Sequence, residues 1–418
     1  MTHQAKRRRV GTQPTATVGN DGIEGLNGYY SPASKFEQDS WNGFCELDSE
    51  PALFNVMLRE FGVKGIKIQE VVSLDEEMMA FLNKPIYGLI FLFRWREDDP
   101  DKQEASCPEG LWFANQTASN ACASVALLNI VNNITNIDLG ENLQSFKDFT
   151  MPFTPALRGD AINNFEFVKR IHNSFARKMD MLSSDYQLKA EATSKRSRPA
   201  KNKPADNKAD AGFHFIAFVP ALGKVWKFDG LERQPQALGS CASDEDWLSL
   251  VKPDIRARME AYEEDQIEFS ILGVARDPLP ELVNQLAANV RGLEIIQERL
   301  SSCPESSAGL ESTLADSIYE NTILGPDERY ALTRKIIDQV TVHERQEKEY
   351  RACSVEELVH HRQRLGHAQQ ELRAAIREEQ QSQQMDEDYA EGRRYDYGPA
   401  IRTWLRFLAR KRMIEDLL

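Results

Sequence analysis

The chain has 418 residues, and its 51 lysines and arginines against 65 aspartates and glutamates give a net charge of −14, which argues against nucleic acid as the main partner. No apolar run approaches the roughly 20 residues that cross a bilayer, and no apolar segment typical of a signal peptide follows the start. We therefore expect a soluble, intracellular protein with no membrane partner, whose acidic character suits a basic protein partner.

The first predicted elements are a tail, a helix and a strand. Residues 1–39 show little apolar periodicity, which predicts a disordered tail. Within it, residues 6–9 (KRRR) resemble a nuclear-import signal, and a solvated basic tail explains them equally well. We expect the protein in both nucleus and cytoplasm. Residues 51–62 predict an amphipathic helix that Gly62 ends, and residues 86–95 (IYGLIFLFRW) predict a central buried strand.

The middle of the chain mixes helical and strand patterns. Residues 113–134 begin as a polar loop and then become an apolar helix. Residues 213–219 (FHFIAFV) and 224–229 (KVWKFD) predict the two strands of a hairpin, and residues 267–274 predict a further strand. This mixture of helices and antiparallel strands predicts an α+β domain over residues 40–277.

The remaining segments are more highly charged. Residues 190–211 contain six lysines and arginines, which predicts a flexible basic loop inside the domain, with weak nucleic-acid binding through 195–208 at most. Residues 278–389 predict a charged helical region with a long solvated helix or coiled-coil arm. Residues 390–418 predict a short partner-binding helical domain. Its apolar stripe consists of Ile401, Trp404, Leu405, Leu408, Ile414, Leu417 and Leu418.

Dispersed cysteines are ordinarily buried, reduced thiols. The six are Cys45, Cys107, Cys122, Cys241, Cys303 and Cys353. None forms a CxxC pair or lies at zinc-ligand spacing from a histidine, so we predict neither a metal site nor a cofactor. Cys122 lies in the first turn of a predicted helix, where the partial positive charge favours a thiolate. Gln116, in the polar loop, is a candidate oxyanion donor together with the backbone N–H of Cys122.

A catalytic base can be sought among the seven histidines. Five lie outside the α+β region: His3, His343, His360, His361 and His367. His172 falls on a predicted helix, whereas His214 opens a strand whose partner ends at Asp229. Antiparallel pairing brings Asp229 beside His214, where its carboxylate can orient the imidazole. A structural cysteine, a core histidine and a turn aspartate explain the same spacing, so the residues alone leave both interpretations open.

Five ordered segments carry a resemblance to a known family. They are WNGFCELDSEPALFNVMLREFGVKG, PIYGLIFLFRW, FANQTASNACASVALLN, HNSFAR and FHFIAFVPALGKVWKFDGL. In this order they resemble the ubiquitin carboxyl-terminal hydrolase family (peptidase C12) over about residues 40–277. The final segment, GRRYDYGPAIRTWLRFLARKRMIEDLL, resembles the helical C-terminal domain of the longer members. Those members are proteasome-associated or chromatin-associated, and the chain is most like the proteasome-associated one.

The resemblance implies a papain-like α+β fold with a knotted backbone. The implied reaction is thiol hydrolysis of the bond after ubiquitin's C-terminal glycine, in ubiquitin-dependent protein turnover. Carried over to this sequence, it makes Cys122 the nucleophile, His214 the general base and proton donor, Asp229 the group that orients His214, and Gln116 the oxyanion donor. Asn120 is expected to line the approach for the Gly-Gly tail of ubiquitin.

The resemblance also implies a crossover loop over the active site, at about residues 175–212. It further implies a protein activator or scaffold, a proteasomal or chromatin subunit, bound through 390–418. Three other functions remain open from the sequence: a chromatin-associated histone deubiquitinase, a ubiquitin-binding scaffold with little activity, and a papain-type protease for general peptides.

Overall fold

The computed structural model describes residues 34–95, 99–194, 212–241, 247–260, 269–302, 322–340, 344–395 and 397–411. The strands are β1 (Ile66–Glu70), β2 (Ile86–Arg94), β3 (Phe213–Ala221), β4 (Lys224–Phe228), β5 (Gln236–Ser240) and β6 (Phe269–Arg276). The helices are α1 (Lys35–Ser40), α2 (Pro51–Phe61), α3 (Glu76–Met79), α4 (Cys122–Val131), α5 (Gly140–Thr150), α6 (Pro155–Asn163), α7 (Glu166–Asn173), α8 (Lys178–Ser194), α9 (Trp247–Glu260), α10 (Leu279–Ser301), α11 (Arg334–Gln339), α12 (Glu344–Ala352), α13 (Val355–Arg394) and α14 (Gly398–Arg410).

Some predictions fall outside the described residues. They concern the tail up to residue 33 with its basic residues 6–9, most of the basic loop (195–211), and the apolar positions after residue 411. Those predictions stay predictions, as does the knotted course of the backbone.

The six strands form one sheet in the order β1-β6-β2-β3-β4-β5, and each neighbouring pair is antiparallel. The apolar, aromatic strand β2 is central, as its composition predicts, because only an interior position buries both faces of such a strand. The predicted hairpin is β3 and β4, joined at Leu222 and Gly223, which both have positive φ (52° and 71°). Two residues of this geometry match the twist of the flanking strands. The α+β prediction is confirmed.

Helix α4 packs unusually close to strand β2, and a glycine in the strand allows this close approach. A Cβ at Gly88 of β2 would lie 2.8 Å from Ile130 of α4, so glycine lets the helix pack directly on the strand. The main core lies on this face of the sheet and includes α2 and α4. A second core covers the opposite face, where α9 contributes Trp247, Val251 and Ile255.

The C-terminal region packs on itself and then returns to the α+β domain. Helix α13 runs antiparallel to α10, with Leu365 against Gly292 near the middle, and Ile376 and Leu358 in clusters at either side. The predicted solvated arm is therefore a packed hairpin of helices. At the end of α13, Ala390 is fully buried in the main core.

Two expected boundaries differ from the structure. The predicted loop at 175–212 begins as helix α8, which starts where Asp180 accepts a hydrogen bond from the Arg177 backbone N–H and continues to Ser194 through strong helix formers. The boundary expected between 389 and 390 lies inside α13, which Ser354 caps and which ends only at Arg394. Among the described residues, no helix combines the length and apolar content that a bilayer crossing requires.

Helix α6 packs tightly against the loop that precedes α4, and two helical glycines test this packing. A Cβ at Gly159 would lie 2.2 Å from the carbonyl oxygen of Asn115, whereas nothing lies within 4 Å of a Cβ at Gly392 in α13. We expect Gly159→Ala to lower the free energy of unfolding by about 2 kcal/mol or more, because the backbone must move. Gly392→Ala should raise it by roughly 0.5 kcal/mol, since alanine restricts the unfolded chain.

Urea unfolding followed by circular dichroism measures both changes. Opposite signs for the two substitutions support the close approach of α6. A neutral or stabilising Gly159→Ala would contradict it.

Candidate active site

Cys122 is the first residue of α4 and is partly exposed. The first N–H groups of a helix have no partners within the helix, and the helix dipole adds partial positive charge, so this position stabilises a thiolate. Asn120 turns the chain into the helix with a left-handed φ of 61°. The same asparagine donates hydrogen bonds to the Phe44 carbonyl and the Ser184 hydroxyl, both at 3.3 Å.

A buried histidine of α7 fixes the start of α4 without joining the chemistry. The Nδ1 of His172 lies 2.8 Å from the Ser124 hydroxyl, and its Nε2 lies 2.8 Å from the Cys45 carbonyl oxygen. Complete burial lowers the pKa of His172 to about 4. Burial likewise raises the pKa of the Cys45 thiol to about 12. Both side chains are thus neutral packing groups, in agreement with the choice of His214 over His172 as the candidate base.

His214 and Asp229 form a buried pair at the sheet. His214 lies in β3 opposite Phe93 of β2, and its Nε2 is 2.7 Å from the Asp229 Oδ1, with both side chains about 95% buried or more. Asp229 follows β4 directly and also accepts a hydrogen bond from the Leu231 N–H at 2.9 Å. The hairpin therefore brings the two residues together as the strand pairing predicts.

The electrostatics of this pair determine the charge beside the cysteine. Burial by itself lowers the pKa of His214, but hydrogen bonds and charge interactions with Asp229 and Cys122 outweigh burial and raise it to about 9. The imidazole is therefore protonated at neutral pH, and its positive charge lies next to the Cys122 sulfur. A cation beside a thiol stabilises the thiolate, which is the nucleophilic form.

Gln116 ends an extended stretch, residues 111–116, which we call the lead-in segment. Its backbone N–H donates to the Gly230 carbonyl at 2.8 Å, next to Asp229. Its side-chain Nε2 donates to the Ala118 carbonyl at 3.1 Å, and a primary amide nitrogen keeps a second hydrogen for another acceptor. Within the described chain, its Oε1 is buried and accepts no hydrogen bond. The structure thus places Gln116 against the turn that carries Asp229.

A groove of about 200 Å³ leads to Cys122. Its lining residues are Glu46, Leu47, Asp48, Ser49, Leu92, Asn120, Cys122, Phe213 and Phe215. The predicted residue Asn120 lines it, whereas the wall formed by residues 46–49 was missed from the sequence. No motif marks that wall, because it is brought to the cysteine only by the fold. The groove is narrow and carries two carboxylates, so it suits an extended basic peptide with small side chains.

Other polar residues of the site were also missed. Asn129 in the apolar helix α4 and Asn133, two residues beyond its end, are polar positions four residues apart, and this spacing was the available signal. Their side chains bond the backbone of the lead-in segment, as does the buried Arg158 of α6. Among the described residues, no group of three histidine, cysteine or acidic side chains is arranged to hold a metal ion.

Comparisons with known proteins place this geometry in context. A family model described as ubiquitin carboxyl-terminal hydrolase, family 1, matches residues 44–260. The chain is 37% identical over 263 residues to ubiquitin carboxyl-terminal hydrolase isozyme L5 of Dictyostelium discoideum, covering 62% of this chain and 71% of that protein. It is 31% identical over 283 residues to ubiquitin carboxyl-terminal hydrolase ubh-4 of Caenorhabditis elegans, covering 67% and 79%.

A solved structure is also similar to this chain. It is the Trichinella spiralis UCH37 catalytic domain bound to ubiquitin vinyl methyl ester, with 32% sequence identity and a TM-score of 0.45. The match covers 56% of this chain and 96% of that one.

The two buried histidines predict a maximum in stability near pH 6.5. His214 has a folded pKa of about 9, so its contribution is complete below 6.5 and is lost as pH rises towards 9. His172 has a folded pKa of about 4, so the unfolded chain binds its proton more readily and stability falls as pH drops from 6.5 towards 4. We expect Asp229→Asn to flatten the alkaline fall and leave the acid fall in place.

Urea midpoints measured at pH 5, 6.5 and 9 test this expectation. The matched control is His172→Gln, which should flatten the acid fall alone. An alkaline fall of equal size in Asp229→Asn and in the unchanged protein would contradict the assigned role of the pair.

Proposed function

Since the chain belongs to the ubiquitin carboxyl-terminal hydrolase family 1, it is a cysteine-type deubiquitinase, and we propose how its own residues perform the hydrolysis. The observation that carries the proposal is the buried Asp229–His214 pair next to a cysteine at a helix N-terminus. This is the combination of nucleophile, base and orienting group that thiol hydrolysis requires. Family membership does not favour the scaffold or histone-specific alternatives.

In the first half of the reaction, the Cys122 thiolate attacks the carbonyl carbon of ubiquitin's last glycine. The carbonyl electron pair moves to oxygen, and the second Nε2 hydrogen of Gln116 and the backbone N–H of Cys122 stabilise that oxyanion. The protonated His214 then gives its proton to the leaving amine as the carbon–nitrogen bond breaks. The products are a free amine and a thioester between ubiquitin and Cys122.

In the second half, the now neutral His214 takes a proton from water, and the resulting hydroxide attacks the thioester carbonyl carbon. Collapse of the tetrahedral intermediate breaks the carbon–sulfur bond and regenerates the thiolate beside the imidazolium. Asp229 remains ionised throughout and stabilises the imidazolium form. Ubiquitin leaves with a free C-terminal carboxylate.

The groove supports ubiquitin's Gly-Gly tail as the segment that reaches Cys122. Its volume of about 200 Å³ suits residues without large side chains, and Asn120 lines it together with Cys122. Glu46 and Asp48 place negative charge along the approach, which complements the basic C-terminal tail of ubiquitin. Asn120 is proposed as a substrate-binding residue on this basis.

We further propose that a protein activator or scaffold binds helix α14. Ile401, Trp404, Leu405 and Phe407 are each about half exposed or more, which is an unusual concentration of exposed apolar surface on one short helix. The resemblance of this segment to the proteasome-associated member supports a proteasomal partner. The same resemblance supports a role for the protein in ubiquitin-dependent protein turnover. We propose that it acts in both nucleus and cytoplasm.

A physical link connects this helix region to the groove. Arg393, in the last turn of α13, contacts Asp180 at 2.9 Å and Asp48 at 3.3 Å, and it donates to the Phe175 carbonyl at 3.2 Å. Asp48 lines the groove, and Asp180 lies in the first turn of α8. A partner that moves α13 would therefore act on the groove wall that contains Asp48 and on the start of α8.

Loss of the thiol tests the enzymatic assignment. We expect Cys122→Ala to lower hydrolysis of ubiquitin carrying a C-terminal fluorogenic amide by at least on the order of 1,000-fold, because no other group supplies the nucleophile. Cys353→Ala is the matched control, since this thiol packs in the C-terminal region far from the groove, and it should retain full activity. Equal rates for Cys122→Ala and the unchanged protein would refute the mechanism.

Two truncations test the partner proposal. A chain that ends at Tyr395 lacks α14 but keeps Arg393, so it should retain basal hydrolysis and lose activation by a partner purified with the full chain. A chain that ends at Tyr389 also lacks the buried Ala390 and the Arg393 contacts, so its basal rate should fall as well. The fluorogenic ubiquitin assay, with and without the partner, measures both effects. Activation of the Tyr395 truncation to the full extent would exclude α14 as the docking helix.

A further inference from the structure

No strand of the described residues pairs with the lead-in segment, yet its backbone is hydrogen-bonded at successive residues. Asn133, two residues beyond the end of α4, accepts from the Trp112 N–H at 3.0 Å and donates to the Trp112 carbonyl at 2.6 Å. Asn129, one turn earlier, bonds the N–H and carbonyl of Ala114 in the same way, at 2.8 and 3.2 Å. Each side-chain amide thus makes the two hydrogen bonds that a residue of a neighbouring strand would make. The backbone N–H and carbonyl groups of Trp112 and Ala114 therefore have partners.

The opposite edge of the lead-in segment is held by Arg158 of α6. Its guanidinium donates to the Leu111 carbonyl at 3.0 Å and to the Phe113 carbonyl at 3.2 Å. The arginine side chain is almost completely buried and forms further bonds to the Thr150 and Met151 carbonyls. Fixed from both edges, the lead-in segment carries Gln116 at a defined position relative to α4.

Asn115 differs from the other polar residues of this segment because its side chain reaches across to the catalytic turn, residues 229–232. Its Nδ2 donates to the Glu232 carbonyl at 2.6 Å and lies 3.4 Å from the Gly230 carbonyl. The neighbouring Gln116 N–H also donates to the Gly230 carbonyl. Two adjacent residues therefore clamp the turn that begins with Asp229.

We propose that Asn115 is a positioning residue that locks Gln116 and the catalytic turn into one rigid unit. The oxyanion donor and the carboxylate that orients His214 then keep a fixed separation while the thioester forms and breaks. This inference rests on the mechanism proposed above. Among the described residues that line the groove, Asn115 is absent, so it acts through its neighbours and not on ubiquitin.

Loss of the Asn115 side-chain bonds should affect the position of the catalytic turn. Without the amide, the bond that joins the Glu232 carbonyl to the lead-in segment is lost, and Asp229 can move relative to His214. A displacement of about 1 Å in a catalytic group costs on the order of 100-fold in rate. A displaced Asp229 also stabilises the imidazolium less, so His214 should lose its proton at a lower pH.

Steady-state kinetics of the full chain test the proposal. We expect Asn115→Ala to lower kcat on the order of 10- to 100-fold and leave KM for the fluorogenic ubiquitin substrate unchanged. The alkaline limb of the kcat/KM profile should shift to lower pH. A raised KM with unchanged kcat would overturn the proposal, because it would make Asn115 a docking residue.

Asn55→Ala is the matched control. Asn55 is a buried asparagine of α2 that bonds both the N–H and carbonyl of Ile68 and does not line the groove, so its loss destabilises the fold without touching the clamp. We expect its kcat and pH profile to match those of the unchanged protein under conditions where it is folded. The same kcat loss and pH shift in Asn55→Ala would reduce the Asn115 effect to general destabilisation and overturn the proposal.

Gly230→Ala strains the same clamp from the other side, which keeps the test decisive if Asn115→Ala does not fold. A Cβ at position 230 would lie 3.1 Å from both the Cβ and the backbone nitrogen of Gln116. Its neighbours must therefore give way, and we expect the same fall in kcat with unchanged KM. Wild-type kinetics in Gly230→Ala would overturn the proposal.

A titration that needs no ubiquitin separates this inference from the proposed function. NMR of histidine-labelled full chain, with the His214 signal assigned by His214→Gln, measures the imidazole midpoint directly. We expect a lower midpoint in Asn115→Ala than in the unchanged protein, whether or not either hydrolyses ubiquitin. An unchanged midpoint overturns the positioning role, whereas an inactive parent chain with a shifted midpoint refutes only the deubiquitinase mechanism.

Discussion

The carboxylate of Asp229 lies in the interior of the domain, 2.7 Å from the Nε2 of His214, and a buried charge of this kind is tolerated only when it is paired and hydrogen-bonded. The hairpin of β3 and β4 supplies the histidine, and the catalytic turn supplies the Leu231 N–H as a second donor. The cost of burial is therefore offset by geometry that the same hairpin creates. That geometry also raises the pKa of the His214 imidazole, which lies beside Cys122.

The rest of the catalytic domain holds helix α4 and the catalytic turn at a constant separation, with the Asp229–His214 pair beside them. Glycine at position 88 lets α4 approach the central strand, and His172 anchors the first turn of α4 to the segment that forms one wall of the groove. On the other side, the lead-in segment joins α4 to the catalytic turn. Side-chain amides, one buried guanidinium and the backbone carbonyls of Pro155 and Gly230 provide its hydrogen bonds.

Local patterns predicted the elements whose signal is contained in a short stretch of chain. The apolar run of β2, the helix that starts at Cys122 and the hairpin carrying His214 and Asp229 all follow from composition and turn residues. Strand β5 was not predicted, because Gln236–Ser240 has neither alternation nor a continuous apolar run. Helix α8 was not predicted because it has no clear apolar face and merges with a basic stretch.

The residues of the candidate site likewise divide into those that a local pattern predicts and those that it does not. Its charged and nucleophilic residues carry recognisable chemistry, so sequence reasoning could name them. The groove wall at 46–49 and the clamp at Asn115 depend on contacts between residues about 70 to 120 positions apart, as in the bonds of Asn120 to Phe44 and of Asn115 to Glu232. No local pattern encodes such a pairing, and a lone asparagine in a polar loop is most simply explained by turn chemistry.

The contact between α13 and the catalytic domain bears on the proposed effect of a bound partner on hydrolysis. Apart from the buried Ala390, much of this contact consists of ion pairs, including Lys67 with Glu379 at 2.6 Å and Arg59 with Glu387 at 2.9 Å. The Arg59–Glu387 pair is partly exposed, and exposed ion pairs each contribute roughly 0 to 1 kcal/mol and are screened by salt, whereas the Lys67–Glu379 pair is more buried. An interface of this kind orients α13 without fixing it as firmly as an apolar core would. Because Arg393 ends this row of charges at the groove wall and at the start of α8, a modest change in the position of α13 reaches the approach to Cys122 while the buried Asp229–His214 pair stays intact.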